Sequence, residues 1–209
     1  MNPAEKRDFD RAALTWDASP MRMQLAAEVG AAMLARIELT PALRVLDFGC
    51  GTGLLSLPWV DRIGQLTGAD TSAGMLAAFS EKIARHGLAG VSAVQLGDET
   101  VVPDGPYDLI VSSMTLHHVA DIPALLRHLF AALAPGGRVA LADLDPDDGL
   151  FHSDNTGVCH FGFAREQMRR WLAEAGFGEI GDATASTVRR ATAAGERDFT
   201  IFVFTAKKP

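Results

Sequence analysis

The sequence predicts an α/β domain whose seven-stranded, mostly parallel sheet carries helices on both faces and ends in an antiparallel hairpin. Strand-like apolar runs alternate with helix-like runs, a glycine-rich turn follows the first run, and only residues 191–198 separate the last two runs. Strands separated by helices imply parallel βαβ units. Eight residues are too few for a crossover helix, so the last two strands form a hairpin.

The predicted elements follow in order along the chain. Leu25, Val29, Met33 and Ile37 recur every four residues as one face of a helix, which ends at Pro41. The predicted strands are 44–47, 65–70, 91–96, 107–114, 138–144, 180–189 and 199–205. Four later helices are predicted. One begins at residues 54–57, one runs from a cap at Thr71 or Ser72 to Ile83, and the last two cover 121–133 and 164–175.

Composition and charge narrow the class of protein. The chain has 209 residues, 48% hydrophobic and 22% charged, which is typical of one globular domain. A net charge of −7 without a Lys/Arg cluster argues against nucleic acid as a partner. The two cysteines give neither a disulfide framework nor the spacing of a metal site. The first eight residues carry charges where a signal peptide would need an apolar core, and no apolar run approaches the length of a membrane span. We therefore expect a cytoplasmic protein without a membrane partner; no prediction of oligomeric state follows.

The first predicted strand ends in Asp47-x-Gly49-x-Gly51-x-Gly53. Glycine lets the backbone turn sharply and bring its N–H groups close to a ligand. A dinucleotide fingerprint needs its third glycine where Leu54 stands, and a phosphate-binding P-loop needs a Lys that is absent here. Leu54 therefore argues against a nicotinamide-dependent oxidoreductase, which remains the rival enzyme class.

Acidic residues also follow the next two predicted strands. Asp70 lies 17 residues beyond Gly53, close to the spacing of a ribose-binding acid, and Asp98 follows the third strand. Ligands of such sheets bind at the carboxyl ends of the strands, where both acids fall. The structural alternatives are a helix cap for Asp70 and a solvated loop acid for Asp98.

Together these motifs resemble the class I S-adenosylmethionine (SAM) dependent methyltransferases of small-molecule type, whose sheet is Rossmann-like. The resemblance covers most of the chain. It is carried by the glycine motif, Asp70, Asp98, Leu116-His117-His118-Val119 and Leu133-Ala134-Pro135-Gly136-Gly137-Arg138. The chain departs from the family at residues 100–103, where Thr-Val-Val-Pro replaces the usual Leu-Pro-Phe stretch.

The resemblance implies SAM as the cofactor and no metal. It implies that Asp47 and the glycines hold the methionine part, that Asp70 binds the ribose, and that Met75 and Asp98 contact the adenine. The full set of expected cofactor contacts is Asp47, Gly49, Cys50, Gly51, Thr52, Gly53, Asp70, Thr71, Met75, Asp98, Glu99, Ser113 and His118.

Because the sulfonium already activates the methyl group, the protein mainly has to hold an acceptor lone pair in line with the methyl–sulfur bond. A base is needed only for an acceptor that loses a proton. The candidate bases are His117, His118, His152 and His160. We favour His117 and His160 as catalytic residues and His118 as a cofactor contact; the alternative for each is a hydrogen-bonded loop histidine.

Absent motifs point to a small-molecule acceptor. Ser112–Thr115 replaces the Asn/Asp-Pro-Pro-aromatic motif of amino-nitrogen methylation, and the chain has neither a Pro-Cys nucleophile nor three cysteines for arsenite. Residues 1–40, with Phe9 and Trp16, are expected to form an arm over the cofactor, and residues 145–163 a lid over the acceptor. A non-catalytic SAM-binding regulatory subunit is the alternative function.

Two features of the lid have open interpretations. Five aspartates lie between residues 143 and 154, where they bind a cation or a metal, or are simply solvated. Phe151, Phe161 and Phe163 form either the wall of an apolar pocket or the contact between the lid and the sheet.

Overall fold

A computed structural model describes residues 7–193 and 195–209, so the first six residues of the predicted arm lie outside the described part. The strands are β1 (Arg44–Phe48), β2 (Gln65–Asp70), β3 (Val91–Gln95), β4 (Tyr107–Ser113), β5 (Leu133–Leu144), β6 (Gly178–Thr192) and β7 (Gly195–Lys207). Within the described residues these seven strands form one sheet in the order β3-β2-β1-β4-β5-β7-β6. The first five are parallel, and β7 runs antiparallel to both β5 and β6. The predicted mixed sheet with its C-terminal hairpin is confirmed.

Helices cover both faces of the sheet, as predicted. They are α1 (Phe9–Ala13), α2 (Pro20–Leu34), α3 (Ala73–His86), α4 (Ile122–Ala132) and α5 (Arg165–Glu174), with 3-10 turns at Trp16–Ala18, Leu57–Arg62 and Leu116–His118. The core against α4 and α5 includes Leu46 and Phe48 of β1, whereas the core against α2 and α3 includes Val45. Side chains alternate across a strand, so a single strand supplies both cores.

Two predicted elements differ from the structure. The segment that was expected to open a helix at 54–57 forms turns and then the 3-10 turn Leu57–Arg62. Pro58 has no N–H with which to continue an α-helical ladder, and Trp59 N–H instead donates to Ser56 O at 2.9 Å. Strand β5 begins at Leu133 rather than 138, because Leu133 pairs with Tyr107 of β4, before a register shift leads to the regular pairing from Arg138 onward.

The strand order places a crevice above β1. Strand β1 pairs with β2 on one side and with β4 on the other, so the chain reverses its winding direction there. In open α/β sheets the ligand binds outside the carboxyl ends of the strands at such a point. Among the described residues no helix is both long and apolar enough to span a membrane.

Candidate active site

A cleft of about 270 Å³ opens at the carboxyl ends of β1, β2 and β4. Its floor is formed by the glycine turn after β1 and by the segment Ser113–Thr115 after β4. The N-terminal residues, the start of α2, the lid residues 151–153 and the strand β6 form its walls. The cleft therefore lies where the loops predicted to carry the chemistry come together.

Two of the three motif glycines are required by close contacts within the protein. Gly49 has φ +72° and Gly53 has φ +85°, both in the left-handed region. A Cβ on Gly49 would lie 2.2 Å from Thr115 Oγ1, and one on Gly53 would lie 2.6 Å from the Phe79 ring. Gly53, which we predicted as a cofactor contact, does not line the cleft. Its role in the structure is the tight contact beneath the turn.

The backbone amides of the turn are used differently from our expectation. Gly49 N–H and Cys50 N–H both donate to Ala69 O, at 2.8 and 3.1 Å. Gly51 N–H donates to Asp70 Oδ2 at 2.8 Å. These three amides stabilise the turn itself and tie it to β2, instead of pointing at a ligand. The turn thus presents a bent backbone surface to the cleft.

Gly51 is the motif glycine that faces the open cleft. Its φ is +52°, and the nearest atom to an added Cβ is Met75 Sδ at 3.9 Å. Gly51, Met75 and the neighbouring Thr52 and Thr71 all line the cleft, as predicted for cofactor contacts. A side chain at Gly51 would occupy space between the turn and Met75, so this is a cradle that only glycine leaves open.

Two carboxyl groups, the buried Asp47 and the half-buried Asp70, border this cradle. Asp47 is fully buried and accepts a hydrogen bond of 2.5 Å from Ser56 Oγ; burial raises its pKa to about 7. Asp70 accepts from Gly51 N–H and from Ser72 N–H at 2.9 Å, and burial raises its pKa as well. Each Asp70 oxygen keeps a further lone pair, so the carboxylate can also accept from two neighbouring hydroxyls.

The N-terminal segment is attached to the cofactor loops by two carboxylates. Asp17 accepts a hydrogen bond of 2.6 Å from Thr52 Oγ1 and an ion pair of 2.5 Å from Lys82 Nζ. Asp10 accepts from Ser72 Oγ at 2.5 Å and from Gly74 N–H at 2.8 Å. These contacts hold Phe9 and Trp16 against the cleft, where both rings form part of the wall.

A chain of hydrogen bonds joins Asp143, His117 and His152. His117 Nδ1 lies 2.8 Å from Asp143 Oδ1, and His117 Nε2 lies 3.1 Å from His152 Nε2. The Arg7 guanidinium approaches His152 Nδ1 at 3.3 Å. Arginine only donates, so His152 accepts at Nδ1 and donates from Nε2 to His117, whose Nδ1–H donates to Asp143. We assign the tautomers on this basis.

The electrostatics favour neutral histidines around an ionised Asp143. Burial opposes ionisation of Asp143, yet its interactions with His117 and with the Leu144 N–H lower its pKa overall. Burial, followed by the neighbouring His117 and Arg7, lowers the pKa of His152 to about 3. Burial and His117 lower the pKa of His118 to about 4. His152 and His118 are therefore uncharged near neutral pH.

The other two predicted histidines have distinct positions. His118 lines the cleft beside Phe9 and donates from Nδ1 to Gly157 O at 2.7 Å, which leaves its Nε2 with a lone pair. His160, predicted as catalytic, is not among the residues that line the cleft. Its Nε2 lies 2.9 Å from Val119 O, so in the structure it fastens the lid to the turn after β4.

The loop after β3 brings Glu99, rather than Asp98, to the cleft. Asp98 Oδ1 accepts from both the N–H and the hydroxyl of Thr100 at 2.8 Å, in a local turn. Its expected adenine contact stays a prediction. The predicted contacts Cys50 and Ser113 do line the cleft, and burial raises the pKa of the Cys50 thiol, which is therefore uncharged.

The lid aspartates do not gather into one site. Among the described residues, no group of three or more His, Cys, Asp or Glu side chains could hold a metal ion. Asp143 binds His117, and Asp145 forms an ion pair of 2.7 Å with Arg165. Asp147 is buried and accepts from two amides of its own loop. Specific internal partners, rather than solvation, explain these three acids, whereas Asp148 and Asp154 are exposed.

The three lid phenylalanines divide between the two suggested roles. Phe151 lines the cleft and is buried against Phe199, whereas Phe163 is buried in the core with α5. Phe161 is exposed. The pocket-wall interpretation therefore holds for Phe151 and the lid-to-sheet interpretation for Phe163.

Sequence reasoning missed several residues of the cleft wall. Arg7, Arg22 and Arg190 line it, together with Met21 and Val188. The arginines come from the N-terminal segment, from α2 and from β6, so no local cluster of positive charge marks them in the sequence. The cation–aromatic sequence Trp16…Arg22, six residues apart, is the one local signal: the Arg22 guanidinium lies 3.9 Å from the Trp16 ring.

Known proteins resemble this chain over most of its length. A family model described as a methyltransferase domain matches residues 11–180. The malonyl-[acyl-carrier protein] O-methyltransferase of Serratia marcescens is 33% identical over 138 residues, 65% of this chain and 51% of that protein. Nocamycin O-methyltransferase of Saccharothrix syringae is 31% identical over 147 residues, 68% of this chain and 51% of that protein. The chain thus spans about half the length of the curated relatives it matches.

Solved structures show the same fold. The crystal structure of a SAM-dependent methyltransferase from Aquifex aeolicus superposes with a TM-score of 0.69 at 18% identity, and the match covers all of both chains. The sheet order, the glycine turn and the acid that ends β2 define a Rossmann-like methyltransferase domain. The chain belongs to the class I SAM-dependent methyltransferase family.

The residues present fit the cofactor of this family. The cradle at Gly51 would be closed by a Cβ, Asp70 can accept from two adjacent hydroxyls, and Met75 flanks the same space. The buried Asp47 carboxyl group lies at the other end of the turn and is suited to a cationic ammonium group. SAM, which carries a ribose diol and an ammonium group, matches these donors and acceptors.

Proposed function

We propose that this protein transfers a methyl group from SAM to a small-molecule acceptor by in-line displacement. The observation that carries the proposal is one cleft lined both by the glycine cradle and by His117 and His152, which Asp143 supports from behind. When bound, the cofactor supplies an electrophilic methyl group on a sulfonium. The protein residues then hold, orient and desolvate the two reactants.

Positioning is the main task of the cleft. Asp70 and the Gly51 cradle fix one end of the cofactor, and Asp17 locks the N-terminal segment onto the same loop through Thr52. The aromatic wall of Phe9, Trp16 and Phe151 keeps water away from the opposite side. Holding two reactants at near-attack distance supplies roughly 7–11 kcal/mol of a barrier of this kind.

The histidine chain supports proton removal from an acceptor O–H or N–H. A proton taken up at His152 Nδ1 lets His152 pass its Nε2 proton to His117 Nε2, 3.1 Å away. The resulting positive charge on His117 is balanced by Asp143, which its hydrogen bonds keep ionised. We therefore propose His117 as the base that ultimately holds the proton and His152 as the group that contacts the acceptor.

The test is a labelling experiment with the purified protein. It is incubated with methyl-labelled SAM and a cell metabolite extract, small molecules are separated from macromolecules, and both fractions are counted. We expect label in the small-molecule fraction, and much less of it with the Asp70→Ala variant when SAM is below saturation. Label in protein or RNA would overturn the acceptor class.

A binding measurement separates activity from cofactor recognition. Calorimetry with S-adenosylhomocysteine should show binding to the wild type, and its absence would contradict the proposal outright. Binding without label in any fraction would favour a regulatory subunit, especially if a partner protein co-purifies in fixed stoichiometry.

A further inference from the structure

Three guanidinium groups lie against the N-terminal and lid walls of the cleft. Arg7, Arg22 and Arg190 come from three separate parts of the chain, yet all three line the same cavity. Their charges are close enough for mutual repulsion to matter: burial and the Arg7 and Arg190 charges lower the pKa of Arg22. Burial and Arg7 lower the pKa of Arg190 in the same way. We call these three residues the arginine cluster.

Aromatic rings of the cleft wall hold each guanidinium in place. Arg22 lies over Trp16 with 3.9 Å from the guanidinium carbon to the ring centroid, and Arg190 lies over Phe151 at 4.8 Å. Arg7 lies 5.8 Å from the Phe9 centroid. A cation stacked on a ring keeps its N–H groups free at the edge, so these contacts orient the guanidiniums without satisfying them.

Within the described residues, no carboxylate forms an ion pair with the arginine cluster, although Arg7 is near enough to Asp154 to help lower the pKa of that carboxyl group. Other arginines of the chain form such pairs: Arg44 pairs with Asp108, Arg165 with Asp145, and Arg189, next to Arg190, with Asp198. Half-buried cations of like sign without counter-ions are costly, and such groups are normally paired. In a protein with a net charge of −7, their convergence on one cavity requires an explanation.

The cleft lining therefore contains two sets of groups of opposite charge. The carboxyl groups of Asp47, Asp70 and Glu99 suit a cationic cofactor. The arginine cluster suits an anion. Even if one guanidinium binds the carboxylate of the cofactor's amino-acid part, two cations remain for a second ligand.

We propose that the methyl acceptor is an anion whose carboxylate or phosphate group binds the arginine cluster. This inference rests on the proposed function, because it names the substrate class of the same cleft. Planar guanidiniums match the geometry of both oxyanions, which is why the two share one site chemistry here. The anionic group anchors the acceptor, and its nucleophilic atom points toward the cofactor.

Anion binding is also coupled to the histidine chain. Arg7 lies 3.3 Å from His152 Nδ1, the nitrogen that must receive the acceptor's proton. An anion that takes over the Arg7 N–H groups frees this lone pair. The acceptor thus prepares the base that it needs, and a neutral analogue of the same shape does not.

The test measures anion binding to the wild-type complex with saturating S-adenosylhomocysteine, where the cofactor's own carboxylate is already accommodated. Benzoate and inorganic phosphate are titrated separately by calorimetry, with benzamide as the uncharged analogue of benzoate. The two titrations distinguish the two kinds of anionic acceptor. Tighter benzoate binding indicates a carboxylate acceptor, and tighter phosphate binding indicates a phosphorylated one. We expect at least one anion to bind, and benzamide to bind at least tenfold more weakly than benzoate where benzoate is the ligand.

Matched variants assign the binding to the cluster. Arg190→Gln and Arg7→Gln should each weaken anion binding at least tenfold, and Arg190→Lys should restore part of it. The control is Arg189→Gln, on the same strand but paired with Asp198, which should bind the anion as the wild type does. The melting temperature of the Arg190→Gln variant without ligand reports that its fold is intact.

The outcomes separate this inference from the proposed function. If neither anion binds the saturated complex, or if Arg190→Gln and Arg189→Gln bind it equally well, the arginine cluster is not an acceptor site. That result leaves methyl transfer itself untouched. If S-adenosylhomocysteine does not bind the wild type, the proposed function fails first, and the acceptor inference falls with it.

Discussion

His117 and Asp143 form a hydrogen bond of 2.8 Å between two side chains that are both almost completely buried. Asp143 also accepts from the His117 backbone N–H at 3.2 Å, so one carboxylate fixes the ring and the turn that carries it. A buried carboxylate in contact with an imidazole Nδ1–H sets the tautomer and stabilises the protonated ring.

Replacing Asp143 with Asn should lower kcat while leaving the cofactor affinity nearly unchanged. Asn keeps the size of the side chain but removes the charge that balances a protonated His117, so the loss should fall within the roughly 10²–10⁴-fold range of general-base catalysis. Steady-state kinetics with the labelled acceptor measure it. An acceptor that loses no proton would give an unchanged kcat and would remove His117 from the mechanism.

The glycine turn allows two neighbouring motif positions to be compared directly. Gly49→Ala places a Cβ 2.2 Å from Thr115 Oγ1 at φ +72°, so it should lower the Tm by several degrees. Gly51→Ala meets only Met75 Sδ at 3.9 Å, so its cost in stability should be limited to the left-handed backbone, about 1–2 kcal/mol. It should nevertheless abolish cofactor binding, because the new methyl group fills the cradle. Thermal melts with and without S-adenosylhomocysteine distinguish the two, and equal ligand-induced shifts in both variants would contradict this account.

Removing the Asp70 carboxylate should weaken S-adenosylhomocysteine binding by about 10–100-fold. Charged hydrogen bonds of this type contribute about 1.5–3 kcal/mol, and Asp70→Ala also releases the Gly51 N–H that shapes the turn. The matched control is Asp61→Ala, which removes the same charge from an exposed position outside the cleft. Calorimetry measures both, and comparable losses in the two variants would show a general charge effect.

The sequence predicted those parts of the site that depend on local spacing. Asp47 and Gly51 could be named because one turn holds them close together in the sequence, and Asp70 because it ends the next strand. The contacts of His152 with His117, 35 residues away, and with Arg7, 145 residues away, could not be predicted from the sequence. Their proximity is created by the tertiary fold.

The balance of charge was misleading for a related reason. A net charge of −7 suggests an acidic surface, and the three arginines that line the cleft come from separate parts of the sequence. The predicted role of the lid aspartates as one solvated or metal-binding group likewise failed for Asp143, Asp145 and Asp147. Their partners, among them His117 and Arg165, come from other elements, so their individual roles are not visible in the local pattern.

The N-terminal segment should be released when its anchoring carboxylate is removed. Asp17 pairs with Lys82 and accepts from Thr52, and it is partly exposed, so the contact should contribute about 1 kcal/mol or less. Asp17→Ala is therefore expected to weaken S-adenosylhomocysteine binding by up to about fivefold and to speed proteolysis near Trp16. Glu81→Ala, which removes an exposed ion pair with Arg85 on α3, the helix that carries Lys82, should do neither. Identical proteolysis in both variants would show that Asp17 does not anchor the segment.

The pH dependence of stability should reflect the lowered pKa values of His118 and His152. The pKa values of His118 and His152 are about 4 and about 3 in the folded protein, below the ordinary 6.5. As the pH falls, these two histidines therefore take up protons in the unfolded chain before they do so in the folded protein. The free energy of unfolding should decrease as the pH falls from about 6.5 to 4.

Asp47 acts in the opposite direction. Its pKa of about 7 lies above the ordinary 3.8, so its contribution to the free energy of unfolding is largest at low pH and is lost as the pH rises toward and through 7.

Urea denaturation from pH 4 to 8 separates the histidine effect from the Asp47 effect by comparison of variants. His152→Gln should flatten the decline below pH 6.5, because one proton fewer is taken up on unfolding. Asp47→Asn should steepen it, because the opposing carboxyl group is gone. A His152→Gln profile parallel to that of the wild type would mean that His152 is already solvated in the folded protein, and the proton path through its ring would then lose its physical basis.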